Sequence, residues 1–178
     1  MLKPGLLYFA YGCNMDAEFF AGVVGGPLAE GWPARLNGWR LAFKLGEAEG
    51  KPTVVANLVQ DERCSTYGVV YRLPREALAP LDAFEDVPDH YRRAMLWVEL
   101  CGRRARQAAL VYLGQPAWVV EEGRPDSRYL GLIVHGARQH QLPPDYVDWI
   151  RLKAADEAED CYREQCSSSG PAGCRGAL

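Results

Sequence analysis

Six short runs rich in Val, Tyr, Leu and Trp lie so close along the chain that helices cannot join most of them. They are Leu6–Tyr11, Arg40–Lys44, Thr53–Leu58, Tyr67–Leu73, Tyr91–Leu100 and Arg106–Leu113, each bounded by Gly, Pro or charge. A parallel pair needs a crossover of a dozen or more residues, and most of these gaps are shorter. The runs therefore predict a mainly antiparallel sheet. "TYGVVYRL" and "AMLWVEL" carry the β-branched and aromatic residues that pack on a pleated surface. Between the last two runs, Cys-Gly-Arg-Arg-Ala-Arg reads as a hairpin connection, its basic residues Arg103–Arg106 a solvated tip.

Helical spacing is found elsewhere. Asp16–Val24 predicts a short helix capped by Asn14 or Asp16. Arg75–Phe84 predicts another, which Pro80 must break or restart. In Asp126–His140, Tyr129, Leu130, Ile133, Val134 and Ala137 form one apolar stripe. Pro143-Pro144 ends that helix and opens the next, expected to run to Cys161. The pattern predicts a single α+β domain over residues 1–163, a curled sheet with helices at its ends. The Ser/Gly/Pro-containing residues 164–178 are expected to be a disordered tail.

Composition narrows the function classes. With 178 residues, 48% hydrophobic and 24% charged, the chain can bury one sizeable core. A net charge of −3 gives no reason to expect a nucleic-acid or anionic-membrane partner. No apolar run approaches the roughly 18 residues of a membrane helix, and no secretory leader pattern opens the chain. The expected location is the cytoplasm. Cys13, Cys64, Cys101, Cys161, Cys166 and Cys174 are scattered, with no C-x-x-C pair, so neither a metal site nor disulfides are expected in a reducing compartment. The G-x-S-x-G, P-loop, G-x-G-x-x-G and H-E-x-x-H patterns are missing, which leaves cofactor-free acid–base chemistry standing.

Three features could carry such chemistry. In "EALAPLDAFEDVPDHYRR", Leu78, Leu81 and Glu85 fall at i, i+3 and i+7. If the helix holds that far, Glu85 lies on an apolar face, where desolvation raises its pKa and suits it to accept protons near neutrality. The alternative puts Glu85 at a frayed helix end facing water; Asp82 and Asp86 read as solvated or capping residues. Second, Tyr11-Gly12-Cys13-Asn14 joins the first strand to the first helix. It is either a plain tight turn or a binding loop, in which Gly12 permits positive φ and close ligand approach and the backbone N–H groups hold a carboxylate or oxyanion. Cys13 could act as a nucleophile only with a base beside it. Third, Tyr129 opens the striped helix, and its ring reads more readily as core than as a ligand contact. Tyr91 is expected only to pack. His135 is expected to be exposed, and His140 to sit charged at a helix C-terminus.

Taken together, "LYFAYGCNM", "LDAFEDV" and "SRYLGLIVHGARQHQLPPDY" resemble the gamma-glutamylcyclotransferase family over about Leu6 to Lys153. The resemblance implies a small, mainly antiparallel mixed β-barrel flanked by helices, with one pocket and no cofactor. It implies an enzyme in which a free gamma-glutamyl group cyclises to 5-oxoproline and an amine or amino acid leaves. By position, Glu85 matches the family's catalytic glutamate, Tyr11, Gly12, Cys13 and Asn14 its substrate-holding loop, and Tyr129 a substrate-contacting tyrosine. The implied partner is a small gamma-glutamyl molecule, and a homodimer is left open. Cys13 stands where the family usually has serine, Asp86 where glycine is more usual, and Pro80 falls in the preceding helix. The same chemistry on a biosynthetic intermediate or a protein-lysine isopeptide is one alternative; a pocket that binds without turnover is another.

Overall fold

The computed structural model describes residues 5–46, 53–103, 106–158 and 160–162. The expected tail at 164–178, with Cys166 and Cys174, lies outside these residues, as do positions 104 and 105 of the basic hairpin tip. Five strands close into a barrel: β1 (Leu6–Ala10), β2 (Trp32–Gly46), β3 (Val54–Leu73), β4 (Tyr91–Leu100) and β5 (Arg106–Gly114), in the order β1-β3-β2-β4-β5. All neighbours are antiparallel except β1 and β5, which meet in parallel at Tyr8 and Leu110 and close the barrel. With its flanking helices this is the expected α+β, mainly antiparallel mixed barrel.

Two of the expected strands are one. The runs 53–58 and 67–73 join through the polar stretch between them into β3, 20 residues long. That stretch reads as a turn because Gln60, Glu62 and Arg63 are polar; they are exposed on a strand that carries on beneath them. Likewise β2 begins at Trp32, eight residues before the expected start. Its Asn37-Gly38 pair, a turn signal in sequence, instead marks a register shift against β3, with Gly38 at φ 81. The barrel encloses a core that includes Phe9, Phe43, Leu41, Val69 and Tyr71, each at most 1% exposed.

Four helices surround the barrel: α1 (Ala17–Val24), α2 (Leu78–Phe84), α3 (Ser127–Gln139) and α4 (Pro144–Ala154). Asp16 caps α1, its Oδ1 accepting from Phe19 N at 2.9 Å, and Asp126 caps α3. A 3-10 turn over Arg75–Ala77 leads into α2. Pro80 therefore falls in the first turn of α2, where a missing N–H costs nothing. α4 stops at Ala154 and does not reach Cys161. The chain then folds back, tied by Lys153 Nζ to Asp160 Oδ1 at 2.8 Å and by a Cys64–Cys161 disulfide, 97 residues apart in sequence. That bond corrects the expectation of unpaired cysteines: spacing could not show that β3 and the segment after α4 lie side by side, with Cα atoms 5.2 Å apart. No helix among the described residues is long and apolar enough to cross a membrane.

Candidate functional site

β1 ends at Ala10, and Tyr11 and Gly12 lead into a 3-10 turn over Cys13–Met15. Asp16 N donates to Cys13 O and Met15 N to Gly12 O, both at 3.0 Å, so the turn is closed on itself. Cys13 and Asn14 open it, and the first N–H groups of a helical turn have no carbonyl within it to donate to. The last turn of α3 packs tightly on this segment. A Cβ added at Gly136 would stand 2.3 Å from both Asp16 N and Met15 C, so only glycine lets the two backbones come this close. His135 on the same helix is 65% exposed, as expected of its position, yet its Nδ1 meets Asp16 Oδ2. Desolvation works against it, but the Phe19 N–H and then His135 hold Asp16 below its usual range.

Glu85 is the residue capping the C-terminus of α2. Its N–H still donates to Leu81 O at 3.0 Å, so the helical path holds long enough to direct the side chain inward. Asn14 bridges the two segments. Its Nδ2 donates to Glu85 Oε1 at 2.9 Å and to Tyr8 OH at 3.0 Å, while its Oδ1 is buried and has no partner among the described residues. Burial, the dominant influence, pushes the Glu85 carboxyl up to about 8; the Asn14 amide draws it down and Asp82 adds a smaller upward push. Asp82 is not the solvated residue expected from sequence. It accepts from Tyr112 OH at 2.7 Å and from Arg93 Nε at 2.8 Å, and the Arg93 guanidinium holds it below its usual range.

Gly12 works by close approach alone. Its φ of −117 is open to any residue, so the expected positive φ is not used. A Cβ there would lie 3.0 Å from the Tyr129 hydroxyl oxygen. That oxygen accepts from Ala56 N at 3.0 Å, and no acceptor for its proton is present among the described residues. The carbonyl of the same residue is held by Tyr91, whose OH donates to Ala56 O at 3.0 Å. Tyr91, expected merely to pack, thus helps fix the wall. Tyr11 OH donates to Tyr112 O at 2.6 Å, which turns its hydroxyl to the backbone. Burial keeps the phenols of Tyr8, Tyr11, Tyr91 and Tyr129 well above their ordinary value, so all stay protonated. Burial, then the Glu85 charge, pushes the Cys13 thiol up to about 12, which removes it as a thiolate nucleophile at neutral pH.

These groups line one cavity of about 790 Å³. Tyr11, Gly12, Cys13, Asn14, Glu85 and Tyr129, widely separated in sequence, all reach it. Tyr8 and Tyr112, not singled out from sequence, also line it, as does Tyr91, expected there only to pack. Inward-facing strand tyrosines carry the same pattern as core residues, and only the barrel's curvature separates the two. The far wall holds His90 and Trp118, stacked edge to face with centroids 4.9 Å apart. His140 lies elsewhere. Its Nε2 meets Tyr71 OH at 2.8 Å, and burial draws its pKa down, so it is not the charged helix-end group expected. Asp86 has φ 50, in the left-handed region that glycine favours and aspartate tolerates. The backbone at this departure thus follows a path open to glycine.

Residues 65–150 match the model of the AIG2-like family. No curated protein matches the sequence. Among solved structures, one titled gamma-glutamyl cyclotransferase is 25% identical, with 92% of this chain and 94% of that one covered at a TM-score of 0.74. YkqA from Bacillus subtilis is 29% identical at a TM-score of 0.75, covering 88% of this chain; this chain spans only 56% of YkqA. A yeast gamma-glutamyl cyclotransferase described as specific to glutathione shares the fold at 15% identity, covering 90% of this chain and all of its own, with a TM-score of 0.57. The chain thus resembles the AIG2-like family over residues 65–150 and shares its barrel with solved gamma-glutamyl cyclotransferases.

Proposed function

We propose that this protein is a gamma-glutamylcyclotransferase that releases 5-oxoproline and an amine without a cofactor, with Glu85 as its general acid and base. The observation that carries the reading is the Asn14–Glu85 pair: a desolvated carboxyl beside a buried amide oxygen that lacks a donor among the described residues. A substrate α-ammonium supplies both needs, donating to Asn14 Oδ1 and placing a positive charge next to Glu85. Its charge favours the ionised carboxylate, which then takes one ammonium proton. The freed nitrogen lone pair attacks the γ-carbonyl carbon and forms a five-membered tetrahedral intermediate. Glu85 gives the proton to the departing nitrogen, the original amide C–N bond breaks, and the ring nitrogen's second proton passes through the freed carboxylate to the released amine, leaving the neutral lactam of 5-oxoproline and an ammonium.

The rest of the site suits this path. The attack is intramolecular, so a folded substrate pose is most of what the pocket must supply. N–H groups of Cys13 and Asn14 and the Tyr129 hydroxyl are donors for the substrate carboxylate or the oxyanion, typically worth ~3 kcal/mol each in the transition state. Backbone donors make the usual serine dispensable, in keeping with Cys13. The test is 5-oxoproline release, followed by mass spectrometry, from a panel of gamma-glutamyl amino acids and amines. Release supports the reading. Stoichiometric binding with no product makes the pocket a binding site instead.

A further inference from the structure

We propose that the leaving group is a free α-amino acid with a large apolar or aromatic side chain, which Phe19, Phe84 and Leu132 cover while Arg128 takes its carboxylate. The inference rests on the cyclisation proposed above and names its substrate class. It begins with size. A gamma-glutamyl group has about nine non-hydrogen atoms and, at roughly 30 Å³ each (the share of a water molecule), fills about 270 Å³. The cavity offers about 790 Å³. Most of it is left for what the glutamyl group is attached to.

The mouth is apolar on its helical side. Phe84 adjoins Glu85 and is 44% exposed, and its ring meets that of Phe19 edge to face at 5.8 Å. Leu132 of α3 lines the same cavity, one turn beyond Arg128. A glycine as leaving group would leave these rings wet; a phenylalanine or leucine would cover them. The charges point the same way. Among the described residues, Arg128 is the one permanent cation lining the cavity, and its guanidinium has no ion-pair partner there. A planar, unpaired guanidinium matches a carboxylate. Besides Glu85, the acids lining the cavity are Asp86 and Asp126. Asp126 Oδ1 is taken up by Arg128 N and Tyr129 N at the cap of α3, while Asp86 repels an acidic side chain at the mouth. An apolar side chain avoids that conflict.

The test compares kcat/KM for 5-oxoproline release by the intact protein from γ-Glu-Phe, γ-Glu-Gly, γ-Glu-Lys and γ-Glu-phenylalaninamide. The Phe substrate should exceed the Gly and Lys substrates at least about tenfold, the low end of what an apolar pocket discriminates. In F84S the Phe-to-Gly ratio should fall towards one, and in R128Q the advantage of γ-Glu-Phe over its amide should shrink. Equal turnover of the Phe and Gly substrates, or a preference for Lys, would overturn this inference and leave the cyclisation intact. No release from any substrate would overturn both.

Discussion

Asn14 and Glu85 lie 71 residues apart in sequence and meet through a 2.9 Å hydrogen bond from Nδ2 to Oε1. One belongs to the turn after β1 and the other to the end of α2, so this bond ties the proposed binding turn to the proposed base. Asn14→Ala removes the one interaction drawing the Glu85 pKa downward. We expect kcat/KM to fall on the order of a hundredfold, and the acid limb of its pH profile to move to higher pH. An unchanged limb would mean that the bond does not tune Glu85.

Glu85 itself should cost stability at alkaline pH. Its folded pKa, about 8, lies above its ordinary value of 4.5. The folded state therefore binds more protons than the unfolded one between these values, and stability is fully present below about 4.5 and lost as pH rises through about 8. Glu85→Gln cannot ionise. It should melt later than the parent at pH 8.5, by an amount worth a few kcal/mol, and the gain should vanish near pH 4. Thermal melts across that range check the sign, and a gain independent of pH would contradict the buried-acid account.

Gly12 and Tyr129 should be energetically coupled. Gly12→Ala puts a Cβ 3.0 Å from a hydroxyl that Ala56 N–H holds in place. Tyr129→Phe removes that hydroxyl but strands the Ala56 N–H, at a cost of about 1–3 kcal/mol. In urea melts of both single variants and the double variant, the two costs should fail to add by about 0.5 kcal/mol or more. Additive costs would show that the Gly12–Tyr129 contact is slack.

How much of this was legible in the sequence differs from element to element. The cap Asp16, one of two candidates, and the stripe of α3 follow local rules, and the structure keeps them. The inward direction of Glu85 was one of two readings, the one that Leu78 and Leu81 set if the helix held that far. The long strands were not: the polar middle of β3 and the Asn37-Gly38 pair mimic turns, and only pairing between β2 and β3 keeps them extended. Nor was the partner of Glu85, since no local rule joins residue 14 to residue 85. The family resemblance brought the two segments together. What it could not give was Tyr129 and Tyr91 holding the N–H and the C=O of Ala56, or the disulfide that joins Cys64 to Cys161.

Asp86 offers a separate check on the backbone. At φ 50 it occupies a conformation that costs an L-residue roughly 1 kcal/mol more than glycine. Asp86→Gly should therefore leave the Glu85 geometry in place and change stability by no more than about 1 kcal/mol in either direction, since glycine also frees the unfolded chain. A loss above 2 kcal/mol in denaturant melts would assign the Asp86 side chain a structural role of its own.

The most direct measurement is the pH profile of kcat/KM for 5-oxoproline release, run on the parent protein and on Glu85→Gln. The account predicts release by the parent, with an acid limb whose apparent pKa is near 8, and a loss of at least about a hundredfold in the variant. Release by Glu85→Gln at the parent's rate, with the same limb, would contradict it.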